Sequence, residues 1–348
     1  MPFIDHLPGR AFRQNETEWL YFSGTAYLGI PHIVAFREAV AEGMARYGTN
    51  FGGSRRSNLQ LAVFAEAERK LARWVGAEAA LTVSSGSLAG QLLVRFLQQQ
   101  GPCLFAPNVH PALWPVDGQR RSATWEAWLA DIDQLPSPVH TPTQLFCSSV
   151  DPLRAKKVSF DWLQQLPADR MFRVIIDDSH GLGVLGDGSG VYRLLPAFDH
   201  VEYIVVGSLA KGPGLPGGAI FGQQKLIDAL WRSPFFIGAS PMVPAYLHAW
   251  LGSQELFRQQ WYRLRKNIFW LEQHWPGQIS VRHQPDYPVF YLADTAIASM
   301  LAQQQIMISS FPYPGPDDPV INRVVVNALH EEKDLQTLVS ALSPRTPQ

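Results

Sequence analysis

Lys211 stands alone among glycines and prolines in the stretch "VGSLAKGPGLPGGAIFG", residues 206–222. Each glycine or proline costs a helix about 1 to 3 kcal/mol relative to alanine, so this stretch is not expected to be helical. The apolar run "VEYIVV" before it predicts a buried strand. We therefore expect the Lys211 amine in an open turn after a core strand, where glycine lets a ligand approach the backbone.

Two further groups follow predicted strands. In "TVSSGSLAG" a strand turns into a helix at Gly86 and Ser87, and a helix N-terminus can bind phosphate. The alternative is an ordinary capped turn. In "VIIDDSHGLGVLG" the strand ends at Asp177 and Asp178, with His180 close behind. Here one of the two carboxylates could instead be a structural cap. Ligands of open α/β sheets collect at the carboxyl ends of strands, so all these groups are expected at one sheet edge.

Two competing motifs fail on their context. Gly181, Gly183 and Gly186 match the dinucleotide pattern G-x-G-x-x-G, but "GDGSGVY" follows where that pattern requires a helix. Ser208 and Lys211 match the acylation pair S-x-x-K, which requires one helical turn that "GPGLPGG" forbids.

The remaining set of a phosphate-binding turn, a carboxylate, a histidine and an isolated lysine suits pyridoxal 5′-phosphate. The aldehyde of this cofactor forms a Schiff base with a lysine amine. Its ring nitrogen is held protonated by a carboxylate, and its phosphate binds at a helix N-terminus. The sequence therefore predicts an enzyme that uses this cofactor.

The elements that would position these groups alternate between strand and helix. Continuously apolar strands in this order predict an α/β fold with a mostly parallel, doubly wound sheet covered on both faces. After about residue 235, helices rich in Trp, Gln and Arg precede short strands, which predicts a smaller C-terminal α+β domain. We expect an N-terminal arm over residues 1–40, irregular up to residue 30, a large domain over 41–235 and a small domain over 236–348.

Composition narrows the function classes. The chain has 348 residues, 46% of them apolar, and a formal net charge of −1. This charge argues against binding to nucleic acid or to an anionic membrane. The two cysteines, Cys103 and Cys147, form neither a metal-ligand spacing nor a disulfide framework. We expect no signal peptide, because the first ten residues lack an apolar stretch, and no membrane span, because no apolar run is long enough. We expect a cytoplasmic protein without a bound metal.

Five segments in order along the chain resemble those of one family. "YGTNFGGSRRS" is similar to Y-G-x-G-x-G-G-S-R, "DDSHGLGVLGDGSG" to D-E-A-H-x-x-G-x-x-G-x-x-G, and "GSLAKGPGLPGG" to G-T-x-S-K-A-x-G-x-x-G-G. With "TAYLGI" near the start and "NRVVVNALHEEKDL" near the end, the likeness covers nearly the whole chain. On these segments the chain resembles the α-oxoamine synthases, fold-type I pyridoxal phosphate enzymes of the aminotransferase class I/II superfamily.

The resemblance implies an acyltransferase that condenses an amino acid with an acyl-CoA, in a homodimer with shared active sites. It also implies a role for each matching residue: Lys211 as the Schiff-base lysine and base, Asp177 as the partner of the ring nitrogen, His180 at the ring hydroxyl, His110 stacked on the ring, Gly86, Ser87 and Ser208 at the phosphate, Ser240 at the phosphate of the second subunit, and Arg323 with Thr25 at the amino-acid substrate.

Four departures from the family pattern leave the reaction type open. The serine before the lysine is Ala210, an asparagine before Y-L-G is Thr25, a histidine is Phe64, and Asp151 stands where a serine is usual. An aminotransferase is the alternative within the cofactor class. A catalytically weakened homologue with a binding role is the alternative from another class. The retained lysine, aspartate and histidines disfavour the last alternative.

Overall fold

A computed structural model describes residues 3–107, 109–115, 122–134, 141–151, 153–313 and 315–343. The chain divides into two compact units. The larger unit contains residues 34–150 and 158–254, and the smaller unit contains residues 1–33, 151–157 and 255–348. The expected boundaries at residues 41 and 236 differ from this division, because residues 34–40 and 236–254 belong to the larger unit.

The elements follow in chain order. The strands are β1 (Ala11–Gln14), β2 (Thr17–Phe22), β3 (Ala79–Val83), β4 (Cys103–Phe105), β5 (Thr143–Ser148), β6 (Val150–Asp151), β7 (Lys156–Lys157), β8 (Phe172–Asp177), β9 (Val201–Ser208), β10 (Gly218–Gly222), β11 (Val281–Arg282), β12 (Val289–Leu292), β13 (Ile306–Pro312) and β14 (Val320–Val325). The α-helices are α1 (Val34–Tyr47), α2 (Ala62–Val75), α3 (Gly86–Leu97), α4 (Trp125–Gln134), α5 (Gln224–Trp231), α6 (Pro234–Ile237), α7 (Pro244–Gly252), α8 (Gln254–His274), α9 (Ala296–Ala302) and α10 (Glu332–Leu342).

The larger unit is built on a sheet of strand order β3-β10-β9-β8-β5-β4. Strand β10 runs antiparallel to both of its neighbours, and the remaining pairs are parallel. Every residue of β3, β5 and β10 is buried, as expected for strands covered on both faces. Helix α3 packs on this sheet through Ala89, Leu92 and Leu93. The predicted mostly parallel α/β sheet is confirmed, and the candidate groups at Gly86 and Ser87, at Asp177 and at Lys211 follow the carboxyl ends of its β3, β8 and β9.

The smaller unit has a second sheet, of order β1-β2-β13-β14-β12-β11. Its first two strands correct the prediction of an irregular arm over residues 1–30. They form an antiparallel hairpin in which Gln14 pairs with Thr17. The turn residues Asn15 and Glu16 both have positive φ, 47° and 64°. The usual sequence signal for such a turn is Asn-Gly. Here glutamate, which rarely adopts positive φ, stands at the glycine position, so the sequence did not indicate the hairpin.

Two segments contain little regular structure. "DWLQQL" forms a 3₁₀ turn, Asp161–Gln165. Strand β14 ends at Val325, and Asn327 begins a turn in which its side-chain oxygen accepts from Leu329 N. Asparagine side chains commonly compete with strand pairing in this way.

His330 is buried in the smaller unit as a neutral ring. Its Nδ1 accepts from Asn327 N at 3.0 Å, so its Nε2–H is the donor to Tyr21 O at 3.2 Å. Its ring stacks on Phe22 with centroids 4.1 Å apart. Burial lowers the pKa of His330 to about 4, since bonds to Tyr21 and Asn327 only partly oppose the cost of a buried charge.

This histidine predicts acid sensitivity. Between pH 6.5 and about 4 the unfolded chain binds a proton that folded His330 does not, so stability is full above 6.5 and falls as the pH drops towards 4. We expect His330→Gln to flatten the decline of melting temperature between pH 7 and pH 4.5, measured by circular dichroism. The exposed His274→Gln is the control and should keep the wild-type slope. An unchanged slope in His330→Gln would contradict the assignment.

Candidate active site

Lys211 lies in the turn after β9, as predicted. Its Nζ is 2.8 Å from His180 Nε2. A lysine ammonium only donates hydrogen bonds, so His180 Nε2 accepts and its proton resides on Nδ1. Gly212 permits the turn to pass close to the preceding loop, since a Cβ there would lie 2.2 Å from Leu182 O. The structure therefore brings the predicted lysine and the predicted histidine together.

Asp177 ends β8 and is the carboxylate on the side of the histidines. Its Oδ1 accepts from Ser179 N at 2.9 Å. Its Oδ2 lies 3.7 Å from His110 Nδ1. Only 6% of Asp177 is exposed, so a cationic ring nitrogen placed beside it would meet little competing water.

His110 is neutral although it lies beside a carboxylate. Burial lowers its pKa, and the charge of Lys211 lowers it further, while Asp177 acts in the opposite direction. Its Nδ1 accepts from Ala112 N at 3.1 Å, and its backbone N–H donates to Ser148 Oγ. A neutral imidazole fixed at Nδ1 and backbone can present a flat face to an aromatic ligand. The resemblance implied that His110 and Asp177 lie near one ring, and the 3.7 Å distance between them agrees with that expectation.

Asp178 has a structural role, which settles the alternative left open for the paired carboxylates. It is fully buried, and it accepts from Ser149 Oγ at 2.6 Å and from Val191 N at 2.9 Å. Burial raises its pKa to about 7, and the charge of Asp177 acts in the same direction. A Cβ at Gly181 or Gly190 would lie within about 2 Å of its oxygens. The glycines after β8 therefore let the chain pass closely around this carboxyl group. No helix begins at these glycines, although the dinucleotide motif would require one.

The predicted phosphate turn is the N-terminus of α3. Ser85 is the N-cap, with its Oγ accepting from Leu88 N at 3.1 Å. The amides of Gly86 and Ser87 precede the first intrahelical bond, from Ala89 N to Ser85 O, so they have no helical acceptor. Ser208, at the end of β9, lies beside them: a Cβ on Gly86 would come within 2.7 Å of Ser208 Cβ. This arrangement fits a phosphate group.

Gly86→Ala is expected to weaken cofactor binding. The added methyl would have to displace the end of β9, because it would also lie 2.8 Å from Ser208 Cα, a backbone atom. Overpacking of this kind costs about 1 to 3 kcal/mol, so we expect the dissociation constant of pyridoxal phosphate to rise about tenfold or more in a titration of the apo-protein. Gly52→Ala is the control, because a Cβ there meets nothing within 4 Å. Equal affinities in the two variants would show that the cradle lies elsewhere.

The substrate candidates lie in the smaller unit. Arg323 is buried in β14, in register with Ser309 on one side and Tyr291 on the other. Burial raises the pKa of Tyr27, and the nearby charge of Arg323 acts in the opposite direction, so the two side chains are neighbours. Thr25 is half-buried in the turn after β2. The structure does not test the substrate roles of Arg323 and Thr25, which stay predictions.

Ser240 is exposed in the segment between α6 and α7. Its exposure is compatible with the predicted contact to a second subunit.

Asp151 is one of the four differences from the family pattern, and its carboxylate is bound within its own loop. Its Oδ1 accepts from Leu153 N and Arg154 N, and its Oδ2 accepts from Arg154 Nη1 at 3.4 Å. Its negative charge is thereby partly neutralised.

Two serine hydroxyls that the sequence analysis did not identify form hydrogen bonds with residues of the site. Ser149 donates to Asp178, and Ser179 Oγ accepts from Ser208 N at 2.8 Å. The family segment D-E-A-H has alanine where this chain has Ser179. This difference is the sequence signal from which Ser179 could have been identified.

Comparison with known proteins supports the predicted family. Residues 114–342 match the model of the family described as aminotransferase class I and II. The chain is 26% identical to the 8-amino-7-oxononanoate synthase of Aliivibrio fischeri, over 93% of this chain and 88% of the relative. The synthase of Vibrio cholerae is also 26% identical, over 96% of this chain and 89% of the relative.

Solved structures share the fold. Serine palmitoyltransferase of Sphingomonas wittichii superposes with a TM-score of 0.77 at 16% identity, covering 96% of this chain and 89% of that one. The 8-amino-7-oxononanoate synthase of Francisella tularensis gives a TM-score of 0.70 at 20% identity, covering 93% and 96%. A high-resolution serine palmitoyltransferase structure solved with PLP gives 0.80 at 18% identity, covering 94% and 87%.

The fold is that of the fold-type I pyridoxal phosphate transferases. The chain belongs to the aminotransferase class I and II family, because the family match covers well over half of its length. Enzymes of this family use pyridoxal phosphate. The predicted family resemblance, fold class, enzyme class and cofactor are therefore confirmed.

Proposed function

We propose that this protein condenses an amino acid with an acyl-CoA, and that Lys211, Asp177, His110 and His180 carry the chemistry. The observation that carries the proposal is the convergence of these four side chains in the larger unit, beside the phosphate cradle, in a chain related over nearly its full length to 8-amino-7-oxononanoate synthases.

The residues present fit pyridoxal phosphate. The amides of Gly86 and Ser87 and the hydroxyl of Ser208 would bind its phosphate, and Asp177 would bind its ring nitrogen. When bound, the cofactor supplies an electron-withdrawing ring that stabilises negative charge developing at the substrate Cα. Its attachment point is Lys211.

The chain's own residues would then move one proton. The Lys211 amine, in its neutral form, would accept the proton from the substrate Cα. His180, 2.8 Å from Lys211 Nζ, would keep that amine oriented. Asp177 would hold the proton on the ring nitrogen, since a carboxylate close to a cation raises the cation's pKa by about 1 to 3 units.

The acyl transfer would use Lys211 again, together with a residue that holds the amino-acid substrate. Arg323 would pair with the amino-acid carboxylate through a bidentate guanidinium contact. The charge of Asp151 would repel an acyl donor less than a free carboxylate does, because it is partly neutralised by its own loop and by Arg154.

The test supplies the holoenzyme with single amino acids and a series of acyl-CoAs, and free CoA is measured with a thiol reagent. A parallel reaction contains a keto acid and no acyl-CoA. Release of CoA that depends on the amino acid supports condensation. Formation of the acceptor's amino acid without CoA release would establish the aminotransferase alternative, and neither product would favour a binding role.

The proposed assembly is a homodimer with shared sites, supported by the exposed Ser240. Mixed dimers of Lys211→Ala and Ser240→Ala subunits should contain some sites with both defects and some with neither. We therefore expect biphasic cofactor titrations in the mixture and single-phase titrations in each parent. A monomer in light scattering would contradict the proposal.

A cytoplasmic location is proposed on the unpaired cysteines Cys103 and Cys147. Across the described helices, none has the length and apolar character that crossing a membrane requires.

A further inference from the structure

Ser179 occupies the junction between the two halves of the cofactor site. Its backbone N–H donates to Asp177 Oδ1 at 2.9 Å, on the side of the ring nitrogen. Its Oγ accepts from the backbone N–H of Ser208 at 2.8 Å, on the side of the phosphate. One residue thus contacts the carboxylate at the end of β8 and the backbone at the end of β9.

The hydroxyl continues the pairing of these two strands beyond its last backbone bond. Strands β8 and β9 are parallel, with Asp177 in register with Val206, and Asp178 N donates to Val206 O at 2.8 Å. Past this point the chain leaves the sheet, so no β8 carbonyl remains opposite Ser208 N. The side chain of Ser179 supplies the acceptor instead.

Ser179 is 7% exposed and therefore bonds in a poorly hydrated place. Removing one partner of a buried hydrogen bond leaves the other without compensation from water. The affected group would be the amide of Ser208, whose side chain stands against Gly86 in the phosphate cradle.

We propose that Ser179 is a positioning residue for the cofactor phosphate: its hydroxyl fixes the end of β9 so that Ser208 meets the α3 N-terminus. The proposal rests on cofactor binding in the proposed function and is independent of the reaction that follows. Ser179 acts through Ser208, so its side chain should affect the phosphate half of the site and leave the ring half unchanged.

The test compares Ser179→Ala with Ser189→Ala in dissociation constants of the apo-protein for pyridoxal phosphate and for pyridoxal, which lacks the phosphate. Ser189 is the matched control: it lies in the same loop and is 1% exposed, and its side chain interacts with Asp187 instead of with Ser208. We expect Ser179→Ala to weaken pyridoxal phosphate about five- to twentyfold and pyridoxal less than about twofold. Ser189→Ala should change neither.

Three results would overturn the proposal. The first is unchanged pyridoxal phosphate affinity in Ser179→Ala, and the second is equal weakening of both ligands, which would place the effect at the ring. The third is loss of the folded apo-protein by circular dichroism, which would assign the bond to folding. Because no turnover is measured, these results are distinguishable from failure of the condensation assay.

Discussion

Borohydride reduction of the purified protein is expected to fix the cofactor to the peptide that contains Lys211, and Lys211→Ala is expected to abolish that attachment. The physical reason is that Lys211 Nζ reaches His180 Nε2 at 2.8 Å in a glycine-rich turn at the sheet edge, beside the carboxyl end of β8. Since the same amine is the proposed base, turnover should fall by about 10²- to 10⁴-fold, the usual contribution of such a group.

Lys225→Ala is the matched control, because Lys225 is exposed on α5 in the same unit. It should retain both the label on Lys211 and the wild-type turnover. Peptide mapping by mass spectrometry identifies the labelled residue. Label found on Lys225 or on another lysine would refute the assignment of Lys211, whatever the activity of the variants.

The sequence predicted the larger unit better than the smaller one. Each of the strands β3, β5, β8 and β9 contains a short apolar run, and burial on both faces leaves such runs little alternative structure. Helix α2 ends at Gly76, whose φ of 93° suits glycine, a common signal for the end of a helix. These features are local, so they can be recognised in a short window of residues.

The N-terminal hairpin and the order of the strands depend on distant partners. Strand β2 pairs in parallel with β13, nearly three hundred residues away, and nothing in "TEWLYF" identifies that partner. Strand β10 is antiparallel within an otherwise parallel sheet, and its glycines weaken the strand signal. Such pairings are properties of the assembled sheet.

Side-chain partners within the site were also not predictable. The sequence placed Asp177 and Asp178 together but could not say which carboxyl group faces inward to Ser149 and Val191 N. Alternation along a strand assigns opposite faces to neighbours. It does not say which face holds a ligand. The resemblance to a family selected Asp177, and the contacts of Asp178 now explain why its neighbour is occupied elsewhere.

Asp177→Asn should leave the fold intact and nearly stop deuterium exchange at the Cα of a bound amino acid. An amide cannot supply the negative charge that keeps a ring nitrogen protonated, and losing one oriented electrostatic contact in an active site costs about 10²- to 10³-fold in rate. The exchange is measured by proton NMR in D₂O with the holoenzyme and without an acyl donor, so it isolates proton removal from the acyl step.

Asp178→Asn is the isosteric control and should exchange within about fivefold of the wild-type rate. Burial raises the pKa of Asp178 to about 7, so replacing its carboxyl group with a neutral amide is a smaller electrostatic change than at an exposed aspartate. An asparagine there can accept from Val191 N and donate to Ser149 Oγ, which keeps both contacts. Loss of exchange in Asp178→Asn with retention in Asp177→Asn would reverse the two assignments and place the ring nitrogen beside the other carboxyl group.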